Sequence, residues 1–112
     1  MNVDKSWEDG KLVVTTEGRV NGLNAAEYRR MMENALEDGS GAVVLNFDGL
    51  SYISSAGLRV VLQAAKRLRR QGTKFAACNL QGPALDIFVT VGFDRIIPLH
   101  ESVECAVAAL QG

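Results

Sequence analysis

Residues 43–62 read VVLNFDGLSYISSAGLRVVL, and two adjacent serines in this stretch separate two different hydrophobic patterns. On the N-terminal side, AVVLNF (42–47) is a short apolar run bounded by turn residues, the mark of a buried central strand. On the C-terminal side, Leu58, Val61, Leu62, Ala65 and Leu68 recur at helical intervals. Arg59, Gln63, Lys66, Arg67 and Arg70 occupy the other side of that helix, and Gly72 ends it. A buried strand running into an amphipathic helix is half of a parallel βαβ unit, so this stretch predicts an α/β fold.

The flanking sequence extends the pattern in both directions. Residues 2–8 read as a weak first strand, Asp9-Gly10 as a two-residue hairpin turn, and KLVVTTEGRV (11–20) as a second strand. Asn24 is expected to start a helix, with Glu27 at capping-box spacing and Tyr28, Met31, Met32, Ala35 and Leu36 as its buried stripe. EDGSG (37–41) breaks that helix. Downstream, KFAACNL (74–80) is a strand, Pro83 opens a helix that Gly92 closes, and RIIPLH (95–100) is a last strand with Pro98 at an edge. Ser102 caps a final helix whose Val103, Ala106, Val107 and Leu110 face inward. The expectation is one α/β domain over residues 1–112. Its sheet is mixed but mostly parallel, four- to five-stranded with an N-terminal hairpin, and about four helices cover it.

Bulk properties exclude several function classes. A chain of 112 residues suits one core, and 12 Lys and Arg against 13 Asp and Glu leave a net charge of −1. That balance gives no reason to expect nucleic acid or an anionic membrane as partner. The apolar runs are too short to insert into a bilayer, and MNVDKSWEDG lacks the apolar core of a secretory signal, so a cytoplasmic protein is expected. Cys78 and Cys105 lie in apolar settings and read as small buried hydrophobes without a disulfide. With His100 the only histidine, no metal site is visible and no cofactor is implied.

Enzyme patterns fail on the same stretch. ISSAG lacks the first glycine of a nucleophile elbow, EDGSGAV (37–43) has no P-loop lysine, and nothing gives Asp48 a partner carboxylate. The chain is therefore expected not to be an enzyme. Ser54 and Ser55 lie where the strand's exit loop meets the helix start, the edge of a parallel sheet where ligands and partners gather. Unpaired N–H groups and the helix dipole there would accept a phosphate on either serine. Gly57 would let another surface approach closely. The ordinary alternative is that one serine caps the helix and the other faces solvent, since serine is among the commonest N-caps.

The same stretch resembles the STAS domain family, the bacterial anti-sigma factor antagonists. That family's pattern runs from an apolar strand through aromatic–aliphatic–Asp–Ser to Gly-Leu, and here it reads YISSAGL (52–58). EGRVNGLNAAEYR (17–29) resembles the family's Gly-Arg-Leu-Asp turn into the first helix, and VTVGFDRIIPLHESVECAVAAL (89–110) its C-terminal block. The resemblance implies partner switching. The unmodified antagonist binds an anti-sigma factor that is also a serine kinase, the sigma factor is freed for transcription, phosphorylation ends the complex, and a Ser/Thr phosphatase resets it. It implies Ser55 as phosphoacceptor, with Ser54 a second candidate. The implied docking surface comprises Asn21, Gly22, Asp48, Tyr52, Ser54, Ser55, Ala56, Gly57, Leu58 and Arg59, on a monomer or weak dimer.

Three positions depart from the family pattern: Ser54 stands for the acid before the acceptor, Asn46 for the strand aspartate, and Asn21 for the turn aspartate. Losing the acid keeps an alternative open, a STAS accessory subunit of a membrane phospholipid ABC transporter that works without phosphorylation. The basic side of the long helix reads as a solvated face or as a steering surface for an acidic partner.

Overall fold

The computed structural model describes residues 1–38 and 41–111. Asp9 and Gly10 both take positive φ, 50° and 75°, the pair of left-handed conformations that a tight I′ hairpin needs. That turn sets β1 (Asn2–Glu8) antiparallel to β2 (Lys11–Val20), with Glu8 opposite Lys11 and Asn2 opposite Glu17. From β2 onward every pairing is parallel: β3 (Ala42–Ile53), β4 (Lys74–Cys78) and the two-residue β5 (Leu99–His100) follow in the order β1-β2-β3-β4-β5. The crossovers are α1 (Ala25–Leu36), α2 (Ser55–Arg70) and α3 (Gly82–Thr90), and α4 (Val103–Ala109) closes the chain.

The pleat assigns the layers. Leu12 and Val14 of β2, Val43, Leu45 and Phe47 of β3, and Ala77 of β4 pack with α1, α2 and α3 in the larger core. The intervening Val13, Val44, Ala76 and Cys78 face the other way, onto Ala106 and Val107 of α4. Two-faced burial is why residues 42–47 of β3 read as an apolar run interrupted only by Asn46. Phe88 of α3 anchors the far end, 5.7 Å from Phe47 and 5.5 Å from Phe93 between ring centroids.

Several boundaries differ from the sequence reading. β3 continues six residues past Phe47, because Gly49, Leu50, Tyr52 and Ile53 pair with Glu17, Gly18, Arg19 and Val20 across two register shifts. Asp48-Gly49 therefore forms part of a bulged strand, and a Cβ on Gly49 would lie 2.8 Å from Glu17 Cγ. β4 stops at Cys78, since Asn79 turns into the left-handed region with φ 62°. β5 is shorter than RIIPLH: Gly92 (φ 81°) starts a 3₁₀ turn over Phe93–Arg95, and only Leu99 and His100 join the ladder.

The start of α1 also differs. Asn24 and Glu27 do not form the expected capping box. Asn21 Oδ1 instead accepts from the Asn24 N–H (3.2 Å), while Asn24 Oδ1 accepts from the Asn21 N–H (2.8 Å). The reciprocal pair sits three residues earlier and braces the turn before the helix. Cys105, expected to be buried, is exposed; Cys78 is buried. Met31 and Leu62 are half-buried. Part of the expected break at 37–41, residues 39 and 40, lies outside the described residues.

One buried polar contact ties β2 to α1: Thr16 Oγ1 and Tyr28 Oη lie 2.9 Å apart in the core. Tyr28→Phe strands the Thr16 hydroxyl and is expected to cost about 1–3 kcal/mol, whereas adding Thr16→Val should bring stability back to within about 1 kcal/mol of the parent, measured by urea unfolding. The thiols give a second check. Burial, then the Asp48 and Glu104 carboxylates, push the Cys78 thiol up to about 12. Cys78 is therefore expected to resist a thiol reagent at neutral pH until the chain unfolds, while exposed Cys105 reacts at once. Because the folded pKa lies above the ordinary 9.0, this thiol's contribution to stability is whole below about pH 9 and fades as pH rises towards 12.

Candidate docking and modification site

The two serines have different jobs. Ser54 is extended (φ −88°, ψ 174°) and half-buried, and its Oγ accepts from the Gly57 N–H at 3.3 Å as the N-cap of α2. Its own N–H donates to the Val20 carbonyl (2.9 Å), and its carbonyl accepts from the Leu58 N–H (2.9 Å). Ser55 is the first residue of α2 and is exposed. The Ser55 and Ala56 amides have no acceptor within the helix, so a concentration of donors surrounds the free hydroxyl.

Gly57 serves packing, not access. It is buried, and a Cβ there would lie 2.7 Å from Val20 Cγ1 and 2.8 Å from Ile53 Cγ1. The expectation that this glycine opens the surface to another molecule is thus corrected: its missing side chain lets the first turn of α2 sit on the ends of β2 and β3. Leu58 is buried in the core as well, and Ala56 is half-buried.

The surface beside Ser55 has two parts. Ser55, Leu58 and Arg59 line a shallow hollow of about 230 Å³ with Leu62, Val91 and Phe93. Beside the β2 and β3 ends, the Arg19 guanidinium lies 4.6 Å from the Tyr52 ring centroid, stacked over a side chain that is 41% exposed. Gly22 is exposed with open space around it. Asn21 is half-buried and acts as a turn builder, its Oδ1 accepting from the Leu23 and Asn24 N–H groups. Asp48 is exposed further up β3, and no hydrogen bond links it to the serines.

Sequence reasoning missed Leu23, Val91 and Arg19. Leu23 is 97% exposed and Val91 51%, unusual for large apolar side chains, and Val91 lines the hollow beside Ser55. Leu23 falls in the strand-to-helix turn and Val91 directly before the helix-ending Gly92; those loop positions were the available signal.

The three departures from the family pattern keep one role each. Asn46 Oδ1 accepts from Asn79 Nδ2 (2.9 Å), the Asp48 N–H (3.2 Å) and, weakly, Cys78 Sγ (3.5 Å), while its Nδ2 donates to Thr15 Oγ1 (3.3 Å). Ser54 accepts as a cap and Asn21 accepts in its turn. Each position calls for an acceptor oxygen, which asparagine or serine supplies as aspartate does. Among the described residues no group of metal-ligating side chains is gathered, and no helix is long and apolar enough to cross a membrane.

Comparison with known proteins agrees with the fold. The profile of the STAS domain matches residues 2–106. The chain is 39% identical over 103 residues to BtrV of Bordetella bronchiseptica, a protein named as an anti-sigma factor antagonist, covering 92% of this chain and 89% of that one. Its fold superposes on an anti-sigma factor antagonist from Mycobacterium paratuberculosis with a TM-score of 0.88 at 21% identity, covering 99% and 94% of the two chains. It also superposes on the Bacillus anti-sigma factor antagonist SpoIIAA. The unphosphorylated form gives a TM-score of 0.76 at 17% identity, over 97% of this chain and 96% of that one. The phosphorylated form gives 0.71 at 16% identity, over 98% and 100%.

The division of labour at the α2 start sets a stability order. Gly57→Ala is expected to cost about 1–3 kcal/mol through overpacking. Ser54→Ala should cost about 1 kcal/mol through the lost cap. Ser55→Ala should stay within about 0.5 kcal/mol of the parent. Urea midpoints of the three variants, compared at constant slope, test the order.

Proposed function

Because the chain belongs to the STAS domain family, we propose that it is an anti-sigma factor antagonist that binds its anti-sigma factor through the edge around Ser55 and is released by phosphorylation of Ser55. The observation that carries this reading is the separation of the two serines. Ser54 is spent on the helix cap, while the Ser55 hydroxyl is exposed at the helix start.

The physics of the switch follows from that position. A phosphate adds roughly −1.5 to −2 charges at neutral pH. On Ser55 it meets the free first-turn amides and the positive end of the α2 dipole, and Arg59 lies one turn on, in the same hollow. The folded chain therefore tolerates the group. A protein packed over the hollow would bury that charge against Leu62 and Val91, at a cost of about a hundredfold or more in affinity. Phosphate also draws Arg59 away from any acidic group of the partner, so one modification removes an attraction and adds a repulsion.

Ser54 serves less well as acceptor, because a phosphate there must leave the cap or crowd the Gly57 amide. The bound protein is read as an anti-sigma factor with serine kinase activity, and a Ser/Thr phosphatase would restore the unmodified state. Exposed Leu23 and Val91 supply apolar anchors for that interface, with Arg19 and Tyr52 at its rim.

The test uses the anti-sigma factor of the source cell and ATP. Intact-mass measurement should show one added phosphate on the parent chain and on Ser54→Ala, and none on Ser55→Ala. Ser55→Asp should weaken the complex about a hundredfold in a binding titration, while Ser55→Ala keeps it. Equal binding by Ser55→Asp would sink the switch.

A further inference from the structure

A groove of about 350 Å³ runs between α1 and α2. Its walls carry four cations, Arg29 from α1 and Lys66, Arg67 and Arg70 from α2, against one carboxylate, Glu33. Among the described residues the one ion pair is Lys5–Asp38, so none of these four cations has a carboxylate at ion-pair distance. The floor is apolar, built from Met32, Leu36, Val60 and Ala64. On a chain of net charge −1 this is a local concentration of unmatched positive charge.

We propose that this groove docks an acidic amphipathic helix of a partner protein, at a second interaction site separate from the Ser55 edge. Ser55 and Arg67 are both on α2, twelve residues apart, which places them about 18 Å apart along the helix axis. The form of the charge selects the occupant. The α2 cations, with Gln63, extend over about 10 Å of helix and face Arg29 across the groove, a linear array and not a convergent one. A single phosphate or headgroup needs donors that converge on one point. An apolar helix face flanked by carboxylates at i, i+4 and i+7 fits a groove with an apolar floor and cationic walls.

Other occupants fit less well. Single-stranded nucleic acid needs aromatic platforms, and no aromatic side chain lines this groove. Insertion into a membrane interface needs exposed apolar groups, and the large exposed ones, Trp7, Leu23, Tyr52, Val89 and Val91, are not among the groove's residues. A second copy of this chain would present the same cations through α1 or α2 and be repelled.

The full isotope-labelled chain is titrated with a synthetic helical peptide carrying leucines on one face and glutamates on both flanks. A counterpart with lysine for glutamate serves as the control. Saturable amide shifts are expected across 29–36 and 60–70 with the acidic peptide only, and the affinity should fall severalfold between about 50 and about 300 mM salt. Arg67→Glu with Arg70→Glu should weaken binding at least about tenfold and create binding of the lysine peptide, while the chain stays folded with a urea midpoint lowered only by the charge reversal at the negative end of α2. Ser55→Asp should bind the acidic peptide as the parent does, so failure of the phosphoswitch leaves this site standing. Equal binding of both peptides, shifts elsewhere, or no saturation would overturn the proposal. Co-sedimentation with phosphatidylglycerol vesicles that Arg67→Glu/Arg70→Glu abolishes would overturn it in favour of an anionic lipid.

Discussion

The site depends on how the start of α2 is clamped to the ends of β2 and β3. Ser54 donates its N–H to the Val20 carbonyl, caps Gly57 through its Oγ, and starts the helix through its carbonyl to Leu58. Gly57 then lies against Val20 and Ile53 with no space for a Cβ. Three hydrogen bonds and one steric contact thus fix where the strand ends, where the helix begins and which serine faces outward. Had the helix begun one residue later, Ser55 would be the cap and its hydroxyl would be taken up by a backbone amide. The proposed modification at Ser55 would need a rigid base beneath a free hydroxyl, and the clamp supplies one.

The sequence made the layer order legible because the hydrophobic periods were unambiguous: AVVLNF for a strand buried on both faces, Leu58–Leu68 for an amphipathic helix, Asp9-Gly10 for the hairpin. What stayed hidden was non-local. Asp48-Gly49 carries ordinary turn chemistry, and only the neighbouring Glu17–Val20 segment, paired across two register shifts, keeps it in a strand. The Asn21–Asn24 brace was missed because Glu27 offered the more familiar capping spacing, while asparagine side chains can serve as both donor and acceptor. At the site, the motif located both serines, but their roles depended on three-dimensional capping geometry. Gly57 was assigned to the surface for the same reason: a sequence does not tell on which side of a helix start a missing Cβ would have projected.

The departures from the family pattern look like losses of charge, yet the geometry separates charge from oxygen placement. At Asn46, Ser54 and Asn21 the oxygen is retained and the carboxylate is not. Aspartate at Asn46 would put a third charge near Cys78 and Asp48, where Asp48 and Glu104 already raise the thiol's pKa. Without carboxylates at Ser54 and Asn21, the edge around Ser55 carries less negative charge. On the proposed reading, the charge added by one phosphate at Ser55 would then be a larger relative change.

Helix α2 brings the two surfaces together in one element. Its first turn carries Ser55 and Arg59 over the hollow shared with Leu62 and Val91, whereas its last turns carry Lys66, Arg67 and Arg70 over the groove shared with α1. Basic residues in the last turn suit the negative end of the helix dipole, so the intrinsic stability of α2 accounts for some of them. It does not account for Arg29, which faces the same groove from α1 and lies in that helix's first half. Glu33, one turn on from Arg29, is the one carboxylate lining the groove, so four cations share a single negative charge and repel one another unless something further negative lies between them. That placement, more than the number of charges, is the reason to regard the groove as a surface built for an acidic guest and not as a solvated helix face.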